Sequence, residues 1–105
     1  MESPLGERLA LLTDLYQLTM AACYFEAGMH EEATFSFFIR KYPPHRGYFV
    51  AAGLAEALTY LETLRFTQDD LAYLESTRLF KTNFLDYLKT VRFTGQVHAL
   101  PEGGI

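Results

Sequence analysis

Tryptophan is absent from this sequence, and cysteine occurs once, at Cys23. A lone cysteine closes no internal disulfide, which excludes a stapled secreted scaffold and fits a reducing, cytoplasmic setting. No apolar run approaches the ~18 residues needed to cross a bilayer, so no membrane span is expected. Glu2, Glu7 and Arg8 precede any hydrophobic stretch, and no secretory signal is expected either. Bases are few: 9 Lys and Arg against 13 Asp and Glu give a net charge of -4, which argues against general nucleic-acid binding. The stereotyped catalytic signatures are missing too. His30, His45 and His98 lie far apart and away from Cys23, so no zinc spacing exists. There is no Gly-Lys-Ser/Thr phosphate loop, no Gly-x-Gly-x-x-Gly after a strand and no Gly-x-Ser-x-Gly elbow.

Apolar surface, by contrast, is plentiful. Half of the 105 residues are hydrophobic, and seven Tyr with nine Phe bring the aromatic share to 15%. That suffices for a core and excludes a disordered tail. A chain of this length buries about two-thirds of its unfolded surface, which leaves it foldable but marginal. Several expected elements are apolar on more than one side, and such elements expect a neighbouring domain or subunit. The closing Pro101-Glu102-Gly103-Gly104-Ile105 reads as a turn handing over to a strand, the pattern of a fragment.

Thr13 or Asp14 can cap a first helix whose left-handed C-terminal residue is Gly28. Leu15, Leu18, Ala22 and Phe25 form one apolar stripe, and Tyr16, Met20, Cys23 and Tyr24 form a second, so the helix is expected to be mostly buried, with Cys23 in packing. Residues 33–40 alternate in period two, with Phe35, Phe37 and Ile39 on one side, and read as a strand that Pro43-Pro44 ends. Residues 47–51 read as a second strand and 93–100 as a third. Gly53 opens or precedes a helix to about Leu64. Thr67 with Asp70 resembles a capping box for a third helix, and Phe84, Leu85, Tyr87 and Leu88 belong to a fourth. The fold class expected is α+β in a single unit, 1–105, with helices packed on a small sheet.

Three places can carry chemistry. Arg40, Lys41, His45 and Arg46 cluster in a stretch, 33–55, that contains no acid. They read either as an anion site, because guanidinium groups fork onto phosphate oxygens, or as a solvated loop that keeps a strand edge soluble. Asp14 and Tyr16 lie about 200° apart around a helix axis, so they share a site only if Asp14 sits in the cap; otherwise Asp14 caps and Tyr16 packs. Glu102 with its two glycines is either a ligand-approach loop or a plain turn.

Thr13-Asp14-Leu15-Tyr16-Gln17-Leu18-Thr19-Met20 resembles the N-terminal signature of nicotinate phosphoribosyltransferases. Phe37-Phe38-Ile39-Arg40-Lys41 with Pro43, then Gly47-Tyr48-Phe49-Val50-Ala51-Ala52-Gly53-Leu54, continue the pattern in order. So do Phe84-Leu85-Asp86-Tyr87-Leu88, Phe93-Thr94-Gly95 and Pro101-Glu102-Gly103. The resemblance covers about Leu11 to Gly104, and the order of the motifs is more specific than any one of them. The Asp-Leu-Tyr-Gln and Ala-Ala-Gly-Leu segments favour the nicotinate branch over quinolinate or nicotinamide relatives.

The resemblance implies the N-terminal α/β domain of a type II phosphoribosyltransferase, lacking the C-terminal barrel. It implies transfer of phosphoribosyl from phosphoribosyl pyrophosphate to nicotinate, coupled to ATP, in NAD salvage. No cofactor is expected on this chain alone; Mg2+ and ATP are implied for the full-length enzyme, whose phosphorylated histidine has no counterpart in His30, His45 or His98. Tyr16 would stack on the pyridine ring in a partner subunit's site, Asp14 would orient that site, and Arg40 would contact phosphate across the interface. A homodimer, or pairing with the missing C-terminal part, follows. Lys41 and Arg46 receive no role. The alternative is a non-catalytic interaction module that pairs through an exposed apolar face.

Overall fold

The computed structural model describes residues 9–105. The segment with Glu2, Glu7 and Arg8, on which the expectation about a secretory signal rests, lies outside the described residues. Among the described residues there are four helices: α1 (Leu15–Glu26), α2 (Leu54–Thr63), α3 (Gln68–Ser76) and α4 (Thr82–Leu88).

Local chemistry sets their ends. Asp14 is the N-cap of α1 in extended conformation, and Gln17 reaches back so that its Oε1 accepts the Asp14 N–H at 3.2 Å. At the other end Gly28 takes φ +70, the Gly28 N–H donates to the Phe25 carbonyl, and the Met29 N–H donates to the Tyr24 carbonyl. This is the paired closure that a left-handed glycine permits. The box at α3 is complete: the Asp70 N–H donates to Thr67 Oγ1 at 3.1 Å, and the Thr67 N–H donates to Asp70 Oδ2 at 2.9 Å. Asp70 is only 4% exposed, and these reciprocal bonds are what make a buried carboxylate tolerable there. Arg78 follows α3 at φ +58, where glycine would be the unstrained choice.

Leu71, Leu74, Phe84, Leu85 and Leu88 form the core, all from α3 and α4. Leu18, Ala21, Ala22 and Phe25 of α1 pack on its edge as half-buried residues. Phe25 lies 4.7 Å from the Tyr87 ring and 5.8 Å from the Phe84 ring, within the range of favourable aromatic pairing. An exposed ion pair, Lys81 Nζ to Glu26 Oε1 at 2.6 Å, ties the start of α4 to the end of α1. The hydrogen bond that Lys81 donates to Glu26, and then the Glu26 charge, hold the Lys81 ammonium above the ordinary lysine value. The α2 helix approaches none of the other three and buries no residue.

Two expectations are corrected here. The first helix is not mostly buried: α1 contains no buried residue, and Leu15, Tyr16, Met20 and Tyr24 are exposed. Cys23 is exposed rather than packed. The reason is that one stripe, through Leu18, Ala22 and Phe25, packs against α4 and the edge of the core, while nothing in the described residues covers the second. The expected sheet is also not formed among the described residues: 33–40, 47–51 and 93–100 carry no strand. A strand exists only through a partner's ladder, and these segments find none beyond a local pairing of Ala51. There the Ala51 N–H donates to the Gly104 carbonyl, and the Gly103 N–H donates to the Ala51 carbonyl, both at 2.7 Å.

The chain is not closed on itself. Its radius of gyration is 16.5 Å, where a compact domain of ~100 residues has about 13 Å. Its accessible surface is 9071 Å², against roughly 6,000 Å² for a compact 12.0 kDa monomer. Much of the excess is apolar and lies in one stretch of chain, with Phe35 at 89% and Phe37 at 97% exposed, alongside Phe38, Ile39, Tyr42, Tyr48 and Val50.

Candidate functional site

The start of α1 carries two of the candidate residues. The Gln17 N–H donates to the Asp14 backbone carbonyl at 3.1 Å, which opens the helix. Gln17 Oε1 is also an acceptor for the Thr13 hydroxyl. Asp14 and Gln17 form a capping box at this helix start, with Asp14 in extended conformation. Asp14 therefore sits outside the regular helical turn, the condition under which it and Tyr16 can serve one site. Tyr16 is 59% exposed, so its ring does not pack in this chain's core and is open for stacking.

The third candidate, Arg40, is exposed within the apolar segment. No hydrogen bond, ion pair or ring contact joins it to Asp14 or Tyr16 among the described residues. Asp14 and Tyr16 thus share the start of α1 by sequence, and Arg40 lies in a separate segment of the chain. The neighbouring loop is ordered by a turn in which the Arg46 N–H donates to the Pro43 carbonyl at 3.2 Å. His45 occupies its third position at φ +65, a conformation histidine adopts more readily than most side chains. Arg46 lies 5.3 Å above the Phe49 ring, and Tyr42 meets that ring edge-on at 4.8 Å. A cation held on an aromatic face is partly committed. Among the described residues Arg40 and Lys41 stand over no aromatic ring, and both are exposed.

Glu102 lies elsewhere, at the start of α2. Its Oε1 accepts the Gly53 N–H at 2.9 Å and its Oε2 accepts the Leu54 N–H at 3.1 Å. A shallow cavity of about 320 Å³ runs beside it, lined by Gly53, Leu54, Ala55, Glu56, Leu58 and Glu102. Neither the cap by Glu102 nor the stacking of Arg46 was foreseeable from spacing, since Glu102 reaches across 48 residues and Arg46 depends on the loop's fold. Among the described residues no three His, Cys, Asp or Glu gather as a metal cage. Among them, too, no helix is long and apolar enough to cross a membrane.

Comparison with known proteins gives the following. Residues 11–105 match the family model of the nicotinate phosphoribosyltransferase N-terminal domain. The nicotinate phosphoribosyltransferase pncB2 of Mycobacterium tuberculosis H37Rv is 49% identical over 96 residues, covering 91% of this chain and 21% of the relative. The nicotinate phosphoribosyltransferase of Bacillus subtilis 168 is 43% identical over 98 residues, covering 92% and 20% respectively. The human nicotinate phosphoribosyltransferase is 36% identical over 99 residues, covering 90% and 18%. The chain therefore spans about a fifth of the length of the curated relatives it matches. No solved structure matches it.

Proposed function

The chain belongs to the nicotinate phosphoribosyltransferase family through its N-terminal domain, and from that premise we propose that it supplies one wall of a nicotinate site completed by further polypeptide. The reaction is transfer of phosphoribosyl from phosphoribosyl pyrophosphate to nicotinate, releasing pyrophosphate, in the NAD salvage of a cytoplasmic enzyme. Tyr16 stacks its phenol on the electron-poor pyridine ring, worth about 0.5–1.5 kcal/mol beyond buried area. Asp14 orients that ring's surroundings from the cap. Arg40 binds phosphate oxygens and stabilises charge as pyrophosphate departs.

The observation that carries this reading is the exposure of Tyr16 together with the uncovered apolar segment 35–50. The excess surface, on the order of 3,000 Å², exceeds the ~800 Å² per partner of a standard interface several-fold. A second subunit and a barrel domain would cover it, and pairing there would give 33–40, 47–51 and 93–100 the ladder partners they lack, forming the small sheet. ATP and Mg2+ belong to the completed enzyme, and no step is assigned to them here.

The test is reconstitution. The 105-residue chain is mixed with a polypeptide carrying the remaining four-fifths of the Bacillus subtilis relative, and nicotinate mononucleotide formation is followed. The expected result is no turnover by the chain alone, turnover by the mixture, and a loss on the order of a hundredfold with Arg40→Ala. An Arg40→Ala mixture with unchanged kinetics removes Arg40 from the site, and turnover by the chain alone refutes the need for added polypeptide.

The same uncovered apolar face favours a second reading, a non-catalytic module that pairs with another copy. Under that reading the chain self-associates at micromolar concentration and the mixture stays inactive.

A further inference from the structure

We propose that Glu102 is the positioning residue that clasps α2 to the 101–104 turn, so that the far end of the described chain sets where the 47–53 segment and α2 sit. This does not depend on the catalytic reading.

A helix leaves its first amides without internal partners, and a side chain at the N-cap ordinarily serves one of them. At α2 the N-cap is Gly53, which has no side chain and takes φ +97. A residue with a capping side chain would be strained in that conformation. The cap is therefore supplied from elsewhere: the Glu102 carboxylate takes the Gly53 N–H on one oxygen at 2.9 Å and the Leu54 N–H on the other at 3.1 Å. Its negative charge also lies at the positive end of the helix. The Ala51 bonds to Gly103 and Gly104, at 2.7 Å each, hold the two strands of chain side by side just below. Glu102 and Ala51 thus close one loop containing α2, α3 and α4.

Nothing comparable holds α2 elsewhere among the described residues. None of its residues is fully buried, and it approaches none of the other helices. A short helix whose inner face, through Leu54, Tyr60 and Leu61, is only half-buried is marginally stable by itself, so a clasp at its first turn has a large share in its placement. The carboxylate also fills the position that an external phosphate would take at that helix end, which leaves the Arg40 and Lys41 loop as the anion-facing part of the chain.

Amide hydrogen exchange on the 105-residue chain tests this, because free first-turn amides exchange quickly. The Gly53 and Leu54 amides are expected to be protected in the parent. Glu102→Ala should accelerate both by roughly tenfold, as for the loss of hydrogen bonds to a charged acceptor. The amides of Leu71 and Leu85 in the core should not change. Glu102→Gln keeps one acceptor oxygen and should retain protection at one of the two amides. The proposal is overturned if Gly53 and Leu54 exchange freely in the parent, if Glu102→Ala leaves them protected, or if both variants release Leu71 and Leu85 to the same extent. In that last case Glu102 serves global stability rather than the placement of α2.

Discussion

Phe84 and Phe37 are the same residue in opposite conditions: one is 2% exposed at the centre of the α3–α4 core and the other is 97% exposed on the apolar segment before Pro43. Around Phe84, every ring and methyl group finds partners within the chain itself, from Leu71, Leu74, Leu85 and Leu88 to Phe25 of α1 and Phe80. Phe35, Phe37 and Phe38, by contrast, are largely exposed. Hydrophobic residues fold a chain only where a surface is present to receive them. The α3–α4 core with the inner stripe of α1 is therefore the packed part, and the 33–50 segment is the part whose apolar surface stays exposed.

The sharpest way to break that comparison is to truncate both rings. Phe84→Ala should cost about 3–5 kcal/mol, enough to unfold a domain of this size. Phe37→Ala should stay within about 0.5 kcal/mol in the isolated chain. Urea unfolding followed by circular dichroism distinguishes them, and equal costs would mean that Phe37 is packed. Next in size is the cap of α3: Thr67→Ala should destabilise by about 1 kcal/mol, since the Asp70 amide loses its acceptor beside a buried carboxylate. A smaller gain is expected at Arg78→Gly, about 0.5 kcal/mol of stabilisation from relief of the left-handed conformation, read as a rise in the urea midpoint.

The smallest effect concerns the Lys81–Glu26 pair, which joins two members of the packed part. Because the folded state holds Lys81 above its ordinary value of 10.5, its contribution is present in full below that value. It fades as pH rises through the elevated folded value. The pair is exposed, so salt screens it as well. Lys81→Met should flatten this alkaline decline slightly in a pH series of thermal midpoints, and a parent and variant with parallel curves would remove the pair from the account.

The contrast between the two regions also explains what was legible in the residues. Elements set by near neighbours were readable: the Thr67 and Asp70 box, Gly28 at the end of α1, and the apolar spacing of α4 all depend on residues within one or two turns. The sheet was not, because the period-two pattern at 33–40 specifies a strand's faces but cannot supply its partner. The burial of α1 was overread for a related reason. Tyr16, Met20, Cys23 and Tyr24 make a real apolar stripe, yet burial belongs to whatever lies opposite, and nothing among the described residues does. At the candidate site, local sequence narrowed the cap of α1 to Thr13 or Asp14, and the structure places Asp14 there. The exposure of Tyr16, the stacking of Arg46 on Phe49 and the reach of Glu102 to α2 are tertiary facts that no spacing rule contains.

Hydroxyl-radical footprinting of the isolated chain, alone and then bound to the complementary part of a family member, addresses the central division most directly. The account predicts heavy labelling of Phe35 and Phe37 in the isolated chain, at least tenfold protection of both on complex formation, and an unlabelled Phe84 throughout. If Phe35 and Phe37 are already as shielded as Phe84 in the isolated chain, the surface is not waiting for a partner and the account is contradicted.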